Sequence, residues 1–359
     1  MKIIVIGAGI FGVTIALELS KRHDVTLVDA NDDILQNASK VNHNRLHFGF
    51  HYPRSKATAL QCINGYKQFY NYFSDAITSD FENYYMIEKN SNVSCREYEL
   101  FCDDLHLKYR ELYPDTGYYW KMGMNLKNIE ASYLTHEPIF DYDRIKSKLI
   151  HELNRSNVKL VLNKKITSKK DVEGFYTVIN ASYFNVNNIN RIFGLRETKL
   201  RLQTVIIPIF KWHMSKIGIT IMDGKFCSIM PKGFNEDRFL LYHAKESIIY
   251  EAESEVIPEL WYYGKEIIRN PFFKTVYDKT IAKQYINTIV MASQKYFSFL
   301  KYCDIIDYWQ TVRALPINDD DERLSIFEVS EQNDQKIISV LSGKISTCIL
   351  TANNINKIL

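Results

Sequence analysis

The residues Gly7, Gly9 and Gly12 stand at a spacing that suits one task, the close approach of bare backbone to a diphosphate. Gly7 permits a tight turn, Gly9 brings the chain up to the phosphates, and Gly12 lets a helix pack closely on a strand. Ile10 and Phe11 would begin that helix, offering free N–H groups and the positive end of its dipole to an anion. Asp29 follows Gly7 by 22 residues and is placed to accept hydrogen bonds from both ribose hydroxyls of an adenosine. Its charge disfavours a 2′-phosphate. A second group of residues suits proton handling. His47 and His51 flank Phe48-Gly49-Phe50, and histidine titrates near neutral pH. Tyr52 and Tyr242 can hydrogen-bond a substrate, although with 24 tyrosines in the chain a core or surface role explains them as readily.

These residues need elements to position them. Lys2 to Ile6 is a continuous β-branched run, the pattern of a strand buried on both faces of a parallel sheet. Val13, Ala16 and Leu17 have helical spacing up to basic Lys21, and Asp24 to Val28 reads as a second strand ending at Asp29. The result is a complete βαβ unit, so the glycine motif sits in the context it requires. Farther on, Asp141 to Leu153 reads as a helix, and Val158 to Leu162 and Tyr176 to Ile179 as strands. Arg201 to Trp212, Ile217 to Met222, Phe226 to Met230 and Arg238 to His243 read as antiparallel hairpins punctuated by Asp223-Gly224 and Lys232-Gly233. Glu251 to Leu300 is mostly helical in pattern, broken at Asn270-Pro271, and Lys336 to Leu341 is a strand followed by a turn and a helix. Met222 and Phe226 read as either the lining of a substrate strand or plain core.

From Asn37 through Gly49 the chain reads Asn37-Ala38-Ser39-Lys40-Val41-Asn42-His43-Asn44-Arg45-Leu46-His47-Phe48-Gly49. Together with the opening unit, this resembles the D-amino-acid oxidase/glycine oxidase superfamily of FAD-dependent oxidoreductases. There such a segment wraps the pyrophosphate and reaches the isoalloxazine. The resemblance implies cofactor contacts at Gly7, Gly9, Ile10, Phe11, Gly12, Asp29, Ala30, Ser39, Asn42, Asn44, Arg45, Leu46 and His47. It extends weakly over most of the chain. Glu137 to Asp141 is similar to the family's link into a helix, and Lys164-Lys165-Ile166 to its adenine-contacting strand end. Asn180-Ala181-Ser182 resembles its small-residue segment beside the cofactor. His51-Tyr52-Pro53-Arg54-Ser55 and Met222-Asp223-Gly224 are similar to a bacterial subgroup. Tyr308 to Arg313 resembles the element whose arginine clamps a substrate carboxylate, with Gln310-Thr311 where glycine is usual and Asn318 to Arg323 where an Asp-x-x-Pro-x-x-Gly run is expected. Gly343, Lys344, Ile345 and Ser346 stand where the family has a turn before its last helix. There a helix N-terminus and Lys344 would favour negative charge on a reduced flavin.

The resemblance implies an α/β fold: a Rossmann-like FAD-binding domain of residues 1–55, 137–205 and 301–359, and a substrate-binding domain of residues 56–136 and 206–300. The second domain is α+β, inserted in pieces and built on a mixed or antiparallel sheet. The implied chemistry is hydride transfer from an amine or amino-acid-like substrate to flavin N5, followed by imine hydrolysis. FAD would be non-covalent, since no attachment motif surrounds Cys348. Arg313 would hold the acidic end of the substrate, with His47, Lys344, Tyr52 and Tyr242 beside it. Alternatives are oxidation of a hydroxyl group on a 2-hydroxy acid or a (nucleotide-linked) sugar, a non-catalytic flavin-binding partner protein, and an NAD dehydrogenase.

Composition narrows the field. The chain has 359 residues, 46% hydrophobic and 24% charged, with a net charge of +3, so general disorder and a basic nucleic-acid-binding surface are not indicated. The six cysteines do not form a CxxC pair, which points to reduced thiols in a cytoplasmic protein. Ile3 to Leu17 is uncharged but shorter than the ~20 residues that span a bilayer. It also lacks a cleavage site, so neither a signal peptide nor a membrane anchor is expected. Asp319-Asp320-Asp321-Glu322 reads as a solvated loop rather than a metal site, and the Asn185 to Asn188 stretch as a loop or cap.

Overall fold

The structure, a computed structural model, describes residues 1–112, 123–213, 215–254, 260–263, 266–269, 279–317, 322–332 and 334–359. The expected loop at Asp319 to Asp321 and the break at Asn270-Pro271 lie outside the described residues. The chain opens with β1 (Lys2–Ile6), α1 (Ile10–Leu19) and β2 (Asp24–Val28). β1 is buried from Ile3 to Ile6, as its unbroken apolar run requires, because parallel strands flank it on both sides. One neighbour is β2, in register from Lys2↔Asp24 to Ile6↔Val28, and the other is Thr177–Asn180. The six-stranded sheet runs Ile326–Gln332, Gln335–Leu341, Thr177–Asn180, β1, β2, Lys159–Val161, antiparallel only in its first pair. Helix α1 is buried on nearly every side, packed by the helices Cys348–Ile358 and Tyr142–Arg155. It ends at Leu19, so Lys21 lies just beyond it. Asp141 caps Tyr142–Arg155, accepting from Arg144 N at 3.0 Å.

A second sheet of nine strands is antiparallel except where Ile217–Met222 runs beside Glu82–Glu88. Its axis is Leu200–Lys211, which pairs along its whole length with Asp304–Pro316 and on its other edge with Ile248–Ser254 and Arg238–His243. Residues 304–316, placed above within the FAD-binding domain, pair in this sheet, and Lys56–Phe73, placed within the substrate-binding domain, packs on the Cys348–Ile358 helix. The hairpins at Asp223-Gly224 and Lys232-Gly233 are present. One expected element is corrected. Among the described residues of 251–300, strands as well as helix are present: Ile248–Ser254 is a strand, Leu260–Tyr263 pairs with Glu266–Arg269, and a helix spans Lys279–Ser293. Glu and Ala give the 248–254 stretch helical propensity, but pairing to Leu200–Val205 overrides it. The Lys279–Ser293 helix closes the core of this sheet through Ala282, Ile286 and Ile289, with Trp212 and Phe299 stacked at 3.9 Å.

Candidate active site

A cavity of about 980 Å³ collects residues from both sheets, at the upper end of the range usual for small-molecule sites. One wall is the opening turn. Gly7 has φ +103, and a Cβ there would lie 2.7 Å from Ala181 O; a Cβ on Gly12 would lie 1.7 Å from Gly7 O. Helix and strand therefore meet at a distance that only glycine allows. Gly7, Gly9, Ile10 and Phe11 line the cavity at the start of α1, whose first amides have no side-chain cap from Gly9. Ser39 Oγ accepts from Ile10 N at 3.0 Å, which ties the 37–42 loop to this helix start. Asp29 Oδ2 accepts from Ala8 N at 2.6 Å, and Oδ1 accepts from Asn31 N at 2.8 Å, so the carboxylate braces the same turn. Asp29, Ala30, Ser39, Asn42, Ile166, Ala181 and Ser182 complete this side.

The opposite wall carries charge. The Arg45 guanidinium is buried. It donates from Nη1 to Tyr85 Oη at 3.1 Å, contacts His51 Nδ1 at 3.2 Å, and donates from Nη2 to Thr220 Oγ1. Arg45 Nε lies 3.6 Å from Glu137 Oε2, and Glu137 is itself buried. Glu137 accepts from Phe48 N at 2.7 Å and from the Tyr85 hydroxyl. Burial pushes Glu137 above the ordinary carboxylate range, against the pull of Arg45 and of those donors. Burial, reinforced by neighbouring cations, pushes His43, His47 and His51 well below the ordinary histidine value. The rings of His47, His51 and Tyr52 form a triangle with all three centroid separations at 5.2 Å. Lys344 Nζ sits 4.5 Å above the Tyr52 ring.

Arg313 enters from Asp304–Pro316, directly across the sheet from Gln203, and donates to Gln203 Oε1 at 2.7 Å. Its guanidinium lies 5.2 Å over the Tyr242 ring, and its buried Nε has no hydrogen-bond partner. Alternation along Leu200–Lys211 turns Arg201, Gln203, Val205 and Ile207 to the cavity, as the period of a strand requires. His43 Nδ1 lies 3.3 Å from Ser228 Oγ, with its ring edge-on to Tyr242 at 5.5 Å.

Of the residues singled out in the sequence, Arg313, His47, Lys344, Tyr52, Tyr242, Arg45, Gly343 and Ile345 all reach this cavity. Five others do not line it. Gly12 acts from behind by close packing, and Leu46 is a core residue whose N–H is taken by Pro138 O. Asn44 is buried and donates to Phe140 O, which fixes the 44–46 turn. Asn180 spends its amide on Val186 O and Asn190 Oδ1, and Ser346 is buried with its backbone carbonyl against Gly65. Sequence reasoning passed over Glu137 as a linker residue and missed Tyr85, Thr220, Gln203 and Ser228. The one local signal was an acidic residue inside the largely apolar stretch from Tyr133 to Phe140.

Among the described residues no helix is long and apolar enough to cross a membrane, and no group of three candidate ligands is placed to hold a metal ion. A family model described as FAD dependent oxidoreductase matches residues 2–334. An FAD-dependent monooxygenase, FPY4 of Fusarium mangiferae, is 24% identical over 237 residues, 63% of this chain and 60% of its own. The FAD-dependent monooxygenase kojA of Aspergillus flavus is 25% identical over 276 residues, 69% of this chain and 63% of its own. The chain thus spans under two thirds of the length of these curated relatives. Glycine oxidase from Geobacillus kaustophilus superposes with a TM-score of 0.70 at 11% identity, covering 99% of this chain and 92% of that one. A mutant of NikD, described as an unusual amino acid oxidase essential for nikkomycin biosynthesis, gives 0.72 at 11% identity with the same coverage. At that identity the likeness concerns the fold.

Proposed function

The chain belongs to the FAD-dependent oxidoreductase family, and from that premise we propose that it oxidises a small substrate carrying an amine and a carboxylate. The family's FAD supplies a hydride acceptor. The residues present fit such a group, because Gly7 and Gly12 hold strand and helix too close for any side chain and leave backbone facing the cavity. In this reading the Gly9 and Phe11 amides face the diphosphate, the Ile10 amide being held by Ser39 Oγ, and Asp29 holds the adenosine ribose. Ser39, Asn42, Ala181 and Ser182 flank the chain of the cofactor, with Ala30 and Ile166 toward the adenine. Arg45, His47, Gly343, Lys344 and Ile345 stand toward the reactive end.

The observation that carries the substrate assignment is Arg313. Its guanidinium lies in the cavity wall, oriented by Gln203 and the Tyr242 face, with donor capacity left over. A planar fork of donors suits a carboxylate. Arg45 is less suited to that task because its Nη1 and Nη2 are engaged by Tyr85, His51 and Thr220 and its Nε is turned to the Glu137 carboxylate at 3.6 Å. The chain's own work is then to hold the substrate by its acid group, keep its α-carbon fixed, and exclude water from the face of the cofactor.

The test is anaerobic bleaching of the flavin absorbance by a panel of amino acids, with ammonia measured in the product. Arg313→Ala is expected to weaken acidic substrates by about 2–5 kcal/mol, with Arg313→Lys recovering only part, and unchanged affinity would remove Arg313 from the site. Bleaching by 2-hydroxy acids without ammonia would replace the amine by a hydroxyl. Incorporation of an oxygen atom from dioxygen would favour the activity named for the fungal relatives.

A further inference from the structure

His47 and His51 face the same cavity, but their Nδ1 atoms turn to neighbours of opposite charge. Arg45 Nη1 lies 3.2 Å from His51 Nδ1. A guanidinium only donates and keeps its proton, so this contact places a lone pair on Nδ1 and the ring proton on Nε2. Tyr85 at 3.1 Å, Thr220, and Glu137 at 3.6 Å pin the guanidinium in that position.

The His47 ring meets a carboxylate instead. Its buried Nδ1 lies 3.8 Å from Glu137 Oε1, beyond hydrogen-bond distance, and has no hydrogen-bond partner. Phe48 N–H, the Tyr85 hydroxyl and Arg45 converge on the two oxygens of that carboxylate, which therefore faces His47 as an acceptor. A lone pair on Nδ1 would oppose it, and an N–H would not. His47 accordingly carries its proton on Nδ1 and turns a lone pair on Nε2 outward, the reverse of His51. The other charged or titratable groups around the pair are Lys344, Tyr52, Tyr85 and His43. Burial with Lys344 and Arg45 keeps both rings neutral at neutral pH.

We infer that His47 and His51 form a split pair that reads the reacting group of the substrate, His51 donating through Nε2–H while His47 accepts through Nε2. The inference rests on the amine-oxidation reading and narrows it. The pair selects a group that is donor and acceptor at once. A neutral amine or a hydroxyl satisfies both rings, an ammonium has no lone pair for His51, and a carboxylate has no proton for His47. The selected amine is the form whose lone pair becomes the second C–N bond as the α-hydrogen leaves with its two electrons for FAD. Arg45 and Glu137 are positioning residues that set the two tautomers.

The experiment uses the FAD-loaded protein labelled with ¹⁵N-histidine, in which the ring nitrogen shifts distinguish the tautomers. His47→Gln and His51→Gln assign the two signals among nine histidines. Opposite tautomers are expected, and Glu137→Gln should move His47 toward a mixture while His51, still facing an Arg45 held by Tyr85 and Thr220, keeps its proton on Nε2. The same tautomer on both rings, or a protonated ring at neutral pH, overturns the pair. A second arm titrates alanine, lactate and propionate into the protein by flavin absorbance. Alanine should tighten about tenfold per pH unit as its amine deprotonates, lactate should not respond, and propionate should bind about tenfold more weakly than lactate. Alanine binding that is flat with pH, propionate as tight as lactate, or no binding by any of the three overturns the substrate role. If amino acids fail to bleach the flavin while the tautomers stay opposite and lactate still outbinds propionate, the amine oxidation falls and the pair stands.

Discussion

The Gly7–Gly12 wall of the cavity and the Arg45–Glu137 wall differ in which atoms do the work. On the first, backbone carries the function and side chains matter mainly by their absence, since a Cβ at Gly12 would lie 1.7 Å from Gly7 O. On the second, side chains do the work with one backbone donor, Phe48 N–H to Glu137, and the partners Arg45, Tyr85, Glu137 and Thr220 come from four separate stretches of the chain. The first wall is specified locally, within one βαβ unit. The second exists only when the nine-stranded sheet has set Tyr85 beside Thr220 and the segments carrying Arg45 and Glu137 have closed on that pair. The two should fail in different ways.

The largest effect is expected at the backbone wall. Gly12→Val forces helix and strand apart, so the purified protein should hold no flavin by its absorbance spectrum. Stoichiometric flavin in that variant would show that the close packing is dispensable and would erase the contrast. Next is Glu137→Leu, which strands a buried guanidinium and should cost about 3–5 kcal/mol of folding free energy in urea titration. Pairing it with Arg45→Met should recover part of the loss, because the two substitutions share one interaction. Strict additivity would mean that the wall is not a network.

Acid should also act on the side-chain wall before it acts on the glycine wall. Burial, with Arg45 nearby, depresses His43, His47 and His51 in the folded state, so the unfolded chain binds protons first as pH falls below the ordinary histidine value, about 6.5. Their contribution to stability is therefore intact above that pH. It is lost progressively as pH falls from there toward the depressed folded values. Melting temperature followed downward from about pH 7 checks the sign, and a protein that grows more stable on acidification would contradict it.

The same contrast decides what was legible in the sequence. β1, α1, β2 and Asp29 lie within one contiguous stretch, and each has a reason visible in its neighbours: an apolar run, a glycine spacing, an acid at a strand end. The hairpins of the second sheet announced themselves through glycine turns. Glu137 gave no such sign, because its meaning depends on Arg45, 92 positions earlier, and on Tyr85 in another strand. Arg313 was legible by resemblance, but its orientation was not. Gln203 becomes its neighbour only through the register of Leu200–Lys211 with Asp304–Pro316. Ile248–Ser254 was misread for a related reason, since the partner strand that makes it β lies some 50 residues away.

The smallest expected effect falls on the carboxylate that braces the backbone wall. Asp29 accepts from Ala8 N at 2.6 Å and from Asn31 N at 2.8 Å, both of which a neutral amide oxygen can replace in part. Asp29→Asn keeps the shape and one acceptor, and removes the charge. If phosphate binding rests on the amides of α1 and the glycine packing behind them, FAD should still bind. The affinity should fall by about 1 kcal/mol, the scale of one net hydrogen bond, in a fluorescence titration of the apoprotein. A loss as complete as that of Gly12→Val would mean that the carboxylate, rather than the backbone, organises this wall. The two halves of the cavity would then both depend on charged side chains, and the glycine spacing would be a packing feature alone.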